Sequence, residues 1–170
     1  MPINMAHTIG SLALLGMLII AGASFAMVTS SLQVDVTKEQ LSAVGEYIAI
    51  HIVEMATIVD TSNLNYSETG KIMIRNITLP PDIQGKAYVI KLVCRSSNLY
   101  FVRLFMLTRP DISVEVQVPF GQGGGSIVLL TGLLPSMKNI DSLHSGEGFR
   151  FAVWGFRNGS LYVGLARWEV

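Results

Sequence analysis

The residue types that carry out chemistry in proteins are few in this chain and widely spaced. Its three histidines, His7, His51 and His144, are far apart, and no His-x3-His or Cys-x2-Cys spacing is present for a metal ion. Cys94 is the only cysteine, so no intrachain disulfide can form, and the apolar run around it predicts a buried free thiol. We therefore expect neither a metal site nor a cofactor.

One short segment, residues 141–145, does contain the residue types of a hydrolytic triad. Asp141, Ser142 and His144 are close in sequence, whereas a triad is assembled by geometry across a fold. A surface hydrolase that uses these three residues is therefore the less favoured alternative. We expect a protein without enzymatic activity and without a small-molecule substrate.

A glycine-rich run at residues 121–125 has the composition of a phosphate-binding loop. Such a loop gathers backbone N–H groups at the N-terminus of a helix, and in P-loop proteins a lysine follows. Here the following residues, Ser126-Ile127-Val128-Leu129, have the pattern of a strand. We interpret the glycines as a flexible loop.

The elements along the chain begin with Ile9–Val28, a stretch without charged residues that we call the apolar segment. At a rise of ~1.5 Å per residue its ~20 residues span roughly 30 Å, the thickness of the hydrocarbon core of a bilayer. This predicts a membrane-spanning helix. A cleaved signal peptide is the alternative, because Ala21-Gly22-Ala23 has the small residues of a cleavage site, but residues 1–8 lack the Lys or Arg expected of one.

Small residues along the apolar segment leave grooves in which the backbone of another helix can approach. A plain anchor tolerates glycines as well, so packing against a second helix is one of two interpretations. The residues that we expect to mediate helix packing and self-association are Gly10, Ala13, Leu14, Gly16, Met17, Ile20 and Gly22 in this segment, and Leu41, Val44, Ile48 and Met55 further along.

From residue 30 to about residue 60 the pattern becomes that of an amphipathic helix. Its apolar stripe recurs at spacings of three and four and consists of Leu41, Val44, Ile48, His51, Met55 and Ile58. On that stripe, His51 is expected to pack or to form an interhelical hydrogen bond. Because no proline interrupts it, we expect one continuous helix over residues 8–59, and a break around residues 29–31 is the alternative.

Beyond the helix, residues 61–170 alternate with a period of two and contain turn residues about every ten positions. The expected strands are 71–79, 86–95, 99–107, 112–118, 126–131, 149–156 and 161–168, the last two joined by a type I′ turn at Asn158-Gly159. This predicts an α+β fold, a long N-terminal helix followed by an antiparallel β-sandwich of about seven strands. The expected domains are residues 1–29, 30–60 and 61–170.

Composition narrows the classes of partner. Hydrophobic residues make up 50% of the chain and charged residues 14%, so much of its surface is expected to contact lipid or protein. The 12 basic and 12 acidic residues balance, which excludes the basic footprint of a nucleic-acid-binding protein. Three Asn-x-Ser/Thr sequons, at Asn65, Asn76 and Asn158, are candidate glycosylation sites and favour a β-domain outside the cell.

An aliphatic run at residues 126–135 is richer in apolar side chains than one buried face of a sandwich strand can accommodate. Either the run is buried within the domain, or part of it contacts a protein partner, for which surface-layer protein is a candidate. The sequence leaves both interpretations open.

The order of these features resembles a known family. A long apolar N-terminal helix, an amphipathic stretch and then a β-sandwich is similar to the architecture of archaeal type IV pilins and archaellum-related proteins. Residues 77–90 are similar to the LP-x-x-I-x-G-x-x-Y-x-I turn of pilin-like proteins, through Leu79, Pro80, Ile83, Gly85, Tyr88 and Ile90. In that family the N-terminal helices bundle as the core of a filament, and the globular domains face outward.

The resemblance implies a structural cell-surface protein, a pilin-like filament subunit or minor pilin that self-associates through its N-terminal helix. Class III signal peptides of this family present Lys or Arg just before the cleavage point, and residues 1–8 have neither. An uncleaved, membrane-anchored accessory or stator protein, similar to archaellum proteins of the FlaF and FlaG type, is therefore the alternative. The expected location is the cell membrane with the C-terminal domain outside, or an extracellular filament.

Overall fold

A computed structural model describes residues 3–62, 72–96, 99–120, 127–133 and 138–169. Helix α1 runs from Ile3 to Thr61 without interruption. Near its middle, the hydroxyls of Ser30 and Ser31 donate hydrogen bonds to carbonyl groups of the preceding turn of the same helix. The expected continuous helix is confirmed, and the alternative of a break around residues 29–31 is wrong.

Two compact units divide the chain, residues 1–36 and residues 37–170. The part of α1 from Thr37 onward therefore belongs with the β-domain. The expected domains end at residues 29 and 60, whereas the boundary between the two compact units lies after residue 36. The reason is that the amphipathic part of the helix supplies core residues to the strands that follow it.

Nine strands are present within the described residues of the β-domain. Their bounds are β1 Met73–Ile77, β2 Tyr88–Ser96, β3 Leu99–Met106, β4 Ser113–Val118, β5 Ile127–Leu133, β6 Lys138–Asn139, β7 Leu143–His144, β8 Phe149–Asn158 and β9 Ser160–Glu169. The seven longer strands are those expected from the period-two pattern. The two-residue strands β6 and β7 were not expected, because so short a strand leaves no periodic signal.

The strands form two sheets. One has five strands in the order β1-β8-β9-β5-β6, and the other has four in the order β4-β3-β2-β7. Paired strands are antiparallel except β5 and β9, which run parallel in a register that begins at Ile127↔Leu161. The expected α+β fold with antiparallel-rich sheets is confirmed, and the parallel pair of β5 and β9 was not expected. Because β6, β7 and β8 separate β5 from β9 in sequence, no hairpin fixes their relative direction.

The second half of α1 lies at the centre of the hydrophobic core. Its buried side chains recur every three or four residues on one face and are Leu41, Val44, Ile48, Ile52, Met55 and Val59. A Cβ atom placed on Gly45 would lie 2.7 Å from Val116 Cγ2 on β4, and one placed on Gly155 of β8 would lie 3.1 Å from Met55 Cγ. This half of the helix therefore contacts both sheets.

Two local expectations are wrong for identifiable reasons. Cys94 is exposed and not buried, because β2 here reaches the margin of the core, where Leu92 is only half-buried and the register with β3 shifts.

In the final hairpin only Gly159 has a positive φ, 71°, and Asn158 pairs directly with Ser160. A single glycine reverses the chain there, so the two-residue type I′ turn does not form.

Replacing Gly45 by alanine tests how closely the helix approaches the sheets. Alanine is favoured over glycine by about 1 kcal/mol at an open helix position, yet its methyl group here would collide with Val116 and Leu104. We expect the free energy of unfolding to fall by about 1–2 kcal/mol, as at other overpacked core positions. Chemical denaturation of the full chain in detergent measures this change.

The control for Gly45→Ala is Gln40→Ala, at an exposed position of the same helix. It should be neutral or slightly stabilising, since alanine has the higher helix propensity and meets no neighbour. A Gly45→Ala chain as stable as this control would contradict the close approach of α1 to β3 and β4.

Candidate functional site

The most unusual surface of the described chain is the apolar segment. Its large side chains are exposed, and Leu18, Phe25 and Met27 are each 75% accessible. The helix is long and apolar enough to cross a membrane, and none of its 18-residue apolar window is buried inside the protein. An exposed apolar surface of this size is stable only when lipid or protein surrounds it.

Two hydroxyl groups, one in the apolar segment and one directly after it, are hydrogen-bonded within the helix. Ser11 donates to the carbonyl oxygen of His7 at 2.9 Å, and Thr29 donates to that of Phe25 at 2.9 Å. In lipid an unpaired hydroxyl would cost free energy, because no water is present to solvate it. At these two positions the hydroxyl groups are therefore compatible with apolar surroundings.

The predicted packing residues of the apolar segment are accessible. At Gly10, Gly16 and Gly22 nothing lies within 4 Å of the position that a Cβ atom would take. Their neighbours in the predicted set, which are also exposed, are Ala13, Leu14, Met17 and Ile20. Another helix backbone can therefore approach this part of α1 closely, and its self-association stays a prediction.

The predicted packing residues of the amphipathic helix are not accessible. Leu41, Val44, Ile48 and Met55 are buried by the β-domain of the same chain. They form its core, so they cannot pack against the helix of another copy. The periodicity correctly identified an apolar stripe but not what covers it, because a helix pattern alone does not show which surface it meets.

His51 lies at the margin of that buried stripe and forms its contacts within its own helix. Its Nδ1 atom is 3.0 Å from Glu54 Oε2, and the ring of Tyr47 packs edge-on against the imidazole. Arg75 of β1 donates to the same Glu54 oxygen at 2.6 Å. The hydrogen bond from His51, and next the charge of Arg75, lower the pKa of the Glu54 carboxyl. The expected interhelical hydrogen bond is thus an intrahelical one, in a cluster that also joins α1 to β1.

The residue types of the hydrolytic alternative are adjacent in the structure only because they are adjacent in sequence. Asp141 and His144 are exposed and Ser142 is half-buried, and no hydrogen bond joins these three described residues. Across the described ranges, no group of three or more His, Cys, Asp and Glu side chains is arranged to hold a metal ion. The described part of the chain thus offers no convergent set of reactive groups.

Two of the three sequons are on accessible parts of the β-domain. Asn76 lies on β1 and Asn158 lies at the end of β8, and both are exposed. The third, Asn65, lies outside the described residues, as does the glycine-rich run at 121–125. Glycosylation of these sites stays a prediction.

Residues 127–133 of the aliphatic run form β5, which lies between β9 and β6 in the five-stranded sheet, and the rest of the run lies outside the described residues. Val128 and Leu130 are half-buried, and the buried Thr131 donates a hydrogen bond to the Ile140 carbonyl. Because β5 has neighbours on both sides, its backbone groups are used within the sheet. Binding of surface-layer protein by this run stays a prediction.

The turn that carries the family resemblance is closely packed against the core. Its apolar motif residues are all buried and are Leu79, Ile83, Tyr88 and Ile90. The hydroxyl of Tyr88 donates a 2.8 Å hydrogen bond to the carbonyl of Pro80, eight residues earlier. At the same residue, the backbone N–H donates to Ser145 Oγ at 2.8 Å. Tyr88 therefore fixes both the turn and the start of β2.

The bend of this turn is made by two residues with positive φ. Gln84 has φ 52° and Gly85 has φ 71°, and the N–H of Gly85 donates to Asp82 Oδ1 at 2.9 Å. Glycine adopts this conformation without a steric penalty, which explains the glycine of the motif. The motif is thus explained by local structure, with no ligand required.

Comparison with protein-family models, with curated proteins and with solved structures finds no match to this chain. Its function must therefore be inferred from its own residues. Among them, the apolar segment has the clearest physical requirement, which is for surroundings that exclude water.

Tyr88→Phe removes one hydrogen bond from the turn and keeps the ring in place. We expect the free energy of unfolding at neutral pH to fall by about 1 kcal/mol. Burial, and next the charge of Asp82, raise the pKa of Tyr88 above its ordinary value of 10.0. The unfolded chain therefore releases this proton at a lower pH than the folded chain, so above about pH 10 the wild type loses the stability that this phenol contributes, a contribution that the variant does not have.

Denaturation curves of both full chains at neutral pH and above pH 10 measure this difference. The stability gap between wild type and Tyr88→Phe should narrow as the pH rises. If the difference in free energy of unfolding between the two chains is the same at every pH, the Tyr88 hydroxyl is not buried and hydrogen-bonded as described.

Proposed function

We propose that this protein is a structural, non-enzymatic component of the cell surface, a pilin-like filament subunit or minor pilin of an archaeal type IV pilus or archaellum-type system. The observation that supports this most strongly is the exposed apolar segment at one end of a helix whose other half is the core of a β-domain. A monomer in water with such an exposed apolar surface would aggregate. A membrane, or a bundle of identical helices, would cover it.

Insertion into a membrane is favoured by the composition of the segment. It contains no charged residue, and aliphatic and aromatic side chains at the centre of a spanning helix each favour insertion by roughly 0.3–0.6 kcal/mol. The hydroxyl groups of Ser11 in the segment and of Thr29 directly after it are already hydrogen-bonded within the helix. We propose that the membrane holds the subunit before assembly.

Packing into a filament is favoured by the small residues of the same segment. Lipid chains are as apolar as leucine, so helices associate in a membrane through close packing at small residues and not through the hydrophobic effect. The open surroundings of Gly10, Gly16 and Gly22 allow that close packing. We propose that copies of this segment replace lipid around one another in the filament.

The β-domain is proposed to lie outside the cell. Two exposed sequons, Asn76 and Asn158, support this orientation because glycosylated asparagines must be accessible to the modifying enzymes. An accessory or stator protein that stays anchored and binds the surface layer is the second candidate. It is favoured by the length of the apolar segment, which matches a bilayer without any packing between helices.

A filament subunit needs the small residues of the apolar segment for helix packing, whereas an anchored accessory protein does not. Gly10→Leu, Gly16→Leu and Gly22→Leu together fill the grooves of the segment and make it more apolar, so membrane anchoring should be retained. Filament assembly should fall at least about tenfold, since loss of close packing in several places exceeds 1.4 kcal/mol. Negative-stain microscopy of sheared surface material, with quantitation of the protein in it, measures this.

A matched control changes the same number of residues without changing volume. Leu12→Ile, Leu15→Ile and Leu18→Ile keep the segment apolar and leave its grooves open, so filaments should persist. N-terminal sequencing of both fractions completes the test. If the wild type yields no filaments and appears only in the membrane fraction with Met1 intact, the filament proposal fails and the anchored accessory protein is correct.

A further inference from the structure

The reversal between β8 and β9 is made by an Asn-Gly dipeptide that is accessible to water. Asn158 and Gly159 are both exposed, and nothing lies within 4 Å of the position that a Cβ atom on Gly159 would take. Gly159 has φ 71°, a conformation that a residue without a side chain adopts at no steric cost. The backbone at Gly159 therefore has space in which to move.

The backbone nitrogen of Gly159 is not used by the sheet. Strand β8 ends at Asn158 and β9 begins at Ser160, so Gly159 lies between the two strands. Within the described residues, no carbonyl oxygen accepts a hydrogen bond from its N–H, and the side-chain amide of Asn158 has no hydrogen-bond partner either. A nitrogen in a strand ladder must lose a hydrogen bond before it can react, whereas this one does not.

We propose that Asn158 is a site of spontaneous deamidation, at which the chain modifies itself without an enzyme. The electrophile is the side-chain carbon Cγ of Asn158, and the nucleophile is the backbone nitrogen of Gly159. A bond between these two atoms closes a five-membered ring with Cβ, Cα and the backbone carbonyl carbon of Asn158. The inference does not depend on the proposed function, because it uses only the geometry of this hairpin.

The reaction consumes only water. Hydroxide takes the proton of the Gly159 N–H, and the lone pair of that nitrogen attacks Cγ of Asn158. The new Cγ–N bond completes a cyclic imide, while the Cγ–Nδ2 bond breaks and Nδ2 takes a proton from water and leaves as ammonia. Water then opens the imide at one of its two carbonyl carbons. Opening at Cγ leaves aspartate, and opening at the backbone carbonyl leaves isoaspartate, whose main chain is one methylene group longer.

Either product adds a carboxylate beside an existing ion pair. Arg157, the residue before Asn158, donates to Asp60 of α1 at 3.1 Å. A carboxylate at position 158 competes with Asp60 for this guanidinium. The net charge of the chain falls from 0 to −1, because 12 basic residues then oppose 13 acidic groups. Isoaspartate also lengthens the main chain at the pair Asn158↔Ser160, so deamidation weakens the link between this hairpin and α1.

Asn76 is a matched control within the same chain. Like Asn158 it is exposed and begins a sequon, but it is followed by Ile77 instead of glycine. Ile77 is buried, has a β-branched side chain and pairs with Phe151 of β8. The strand thus holds the backbone nitrogen of Ile77 in place and its side chain crowds any ring closure, so Asn76 should not deamidate by this route.

The test follows both asparagines in the full chain in detergent, produced without glycosylation because a glycan on Nδ2 would change the leaving group. The chain is incubated at mildly alkaline pH, and its proteolytic peptides are analysed by mass spectrometry. We expect Asn158 to be lost at least about tenfold faster than Asn76, which corresponds to an activation free energy lower by about 1.4 kcal/mol. Each Asn158 that is lost should release one molecule of ammonia.

Two variants separate the reaction from the sequon and from the fold. Ser160→Ala removes the sequon and keeps Asn158-Gly159, so the rate of deamidation should stay within about twofold of the wild type. Asn158→Gln keeps an uncharged amide but requires a six-membered ring, so its side chain should be lost at least about tenfold more slowly. Thermal unfolding of both variants checks that they are folded.

The products decide the outcome. A mixture of aspartate and isoaspartate at position 158, with Asn76 intact, supports the proposal. Loss of Asn158 no faster than loss of Asn76 overturns it. Formation of aspartate without isoaspartate also overturns it, since direct hydrolysis of the side-chain amide gives aspartate alone. None of these results bears on filament assembly or membrane anchoring, which are measured on their own.

Discussion

One constraint underlies the rest of this structure: the second half of helix α1 is buried by its own β-domain, whereas its apolar segment is exposed. Leu41, Ile48 and Ile52 are fully buried, but Leu18 and Phe25 are each 75% accessible. A helix segment that is apolar all round is stable in water only when neighbours cover it on every side. The apolar segment therefore requires a cover that the single chain does not provide.

Apolar burial, and not ion pairing, joins the helix to the sheets. The pairs Glu54–Arg75 and Asp60–Arg157 have short distances of 2.6 and 3.1 Å, but both are accessible to water and salt. By contrast, each fully buried aliphatic side chain of the helix contributes about 1.5–3 kcal/mol. The close approach at Gly45 increases this contribution by bringing the helix backbone near Val116 and Leu104. The ion pairs help to set the orientation of the helix.

The sequence predicted those features that repeat along the chain. Helix α1 and the seven longer strands follow from periods of 3.6 and two, and the apolar segment follows from length and the absence of charge. The parallel pairing of β5 with β9 and the two-residue strand β7 depend on contacts between distant residues, so no local pattern reports them. The candidate packing residues of the amphipathic helix were assigned to contacts between copies for the same reason. Periodicity shows that Leu41 and Ile48 share a face, but only the fold shows that their own domain buries it.

The small residues of the apolar segment are the feature by which the two structural roles differ. An anchor requires only about 20 apolar residues, roughly the length of the apolar segment, and lipid would then surround them. In that role Gly10, Gly16 and Gly22 have no packing partner and could be any apolar residue. In a bundle of identical helices the same glycines are needed, because their open surroundings allow another backbone to approach closely.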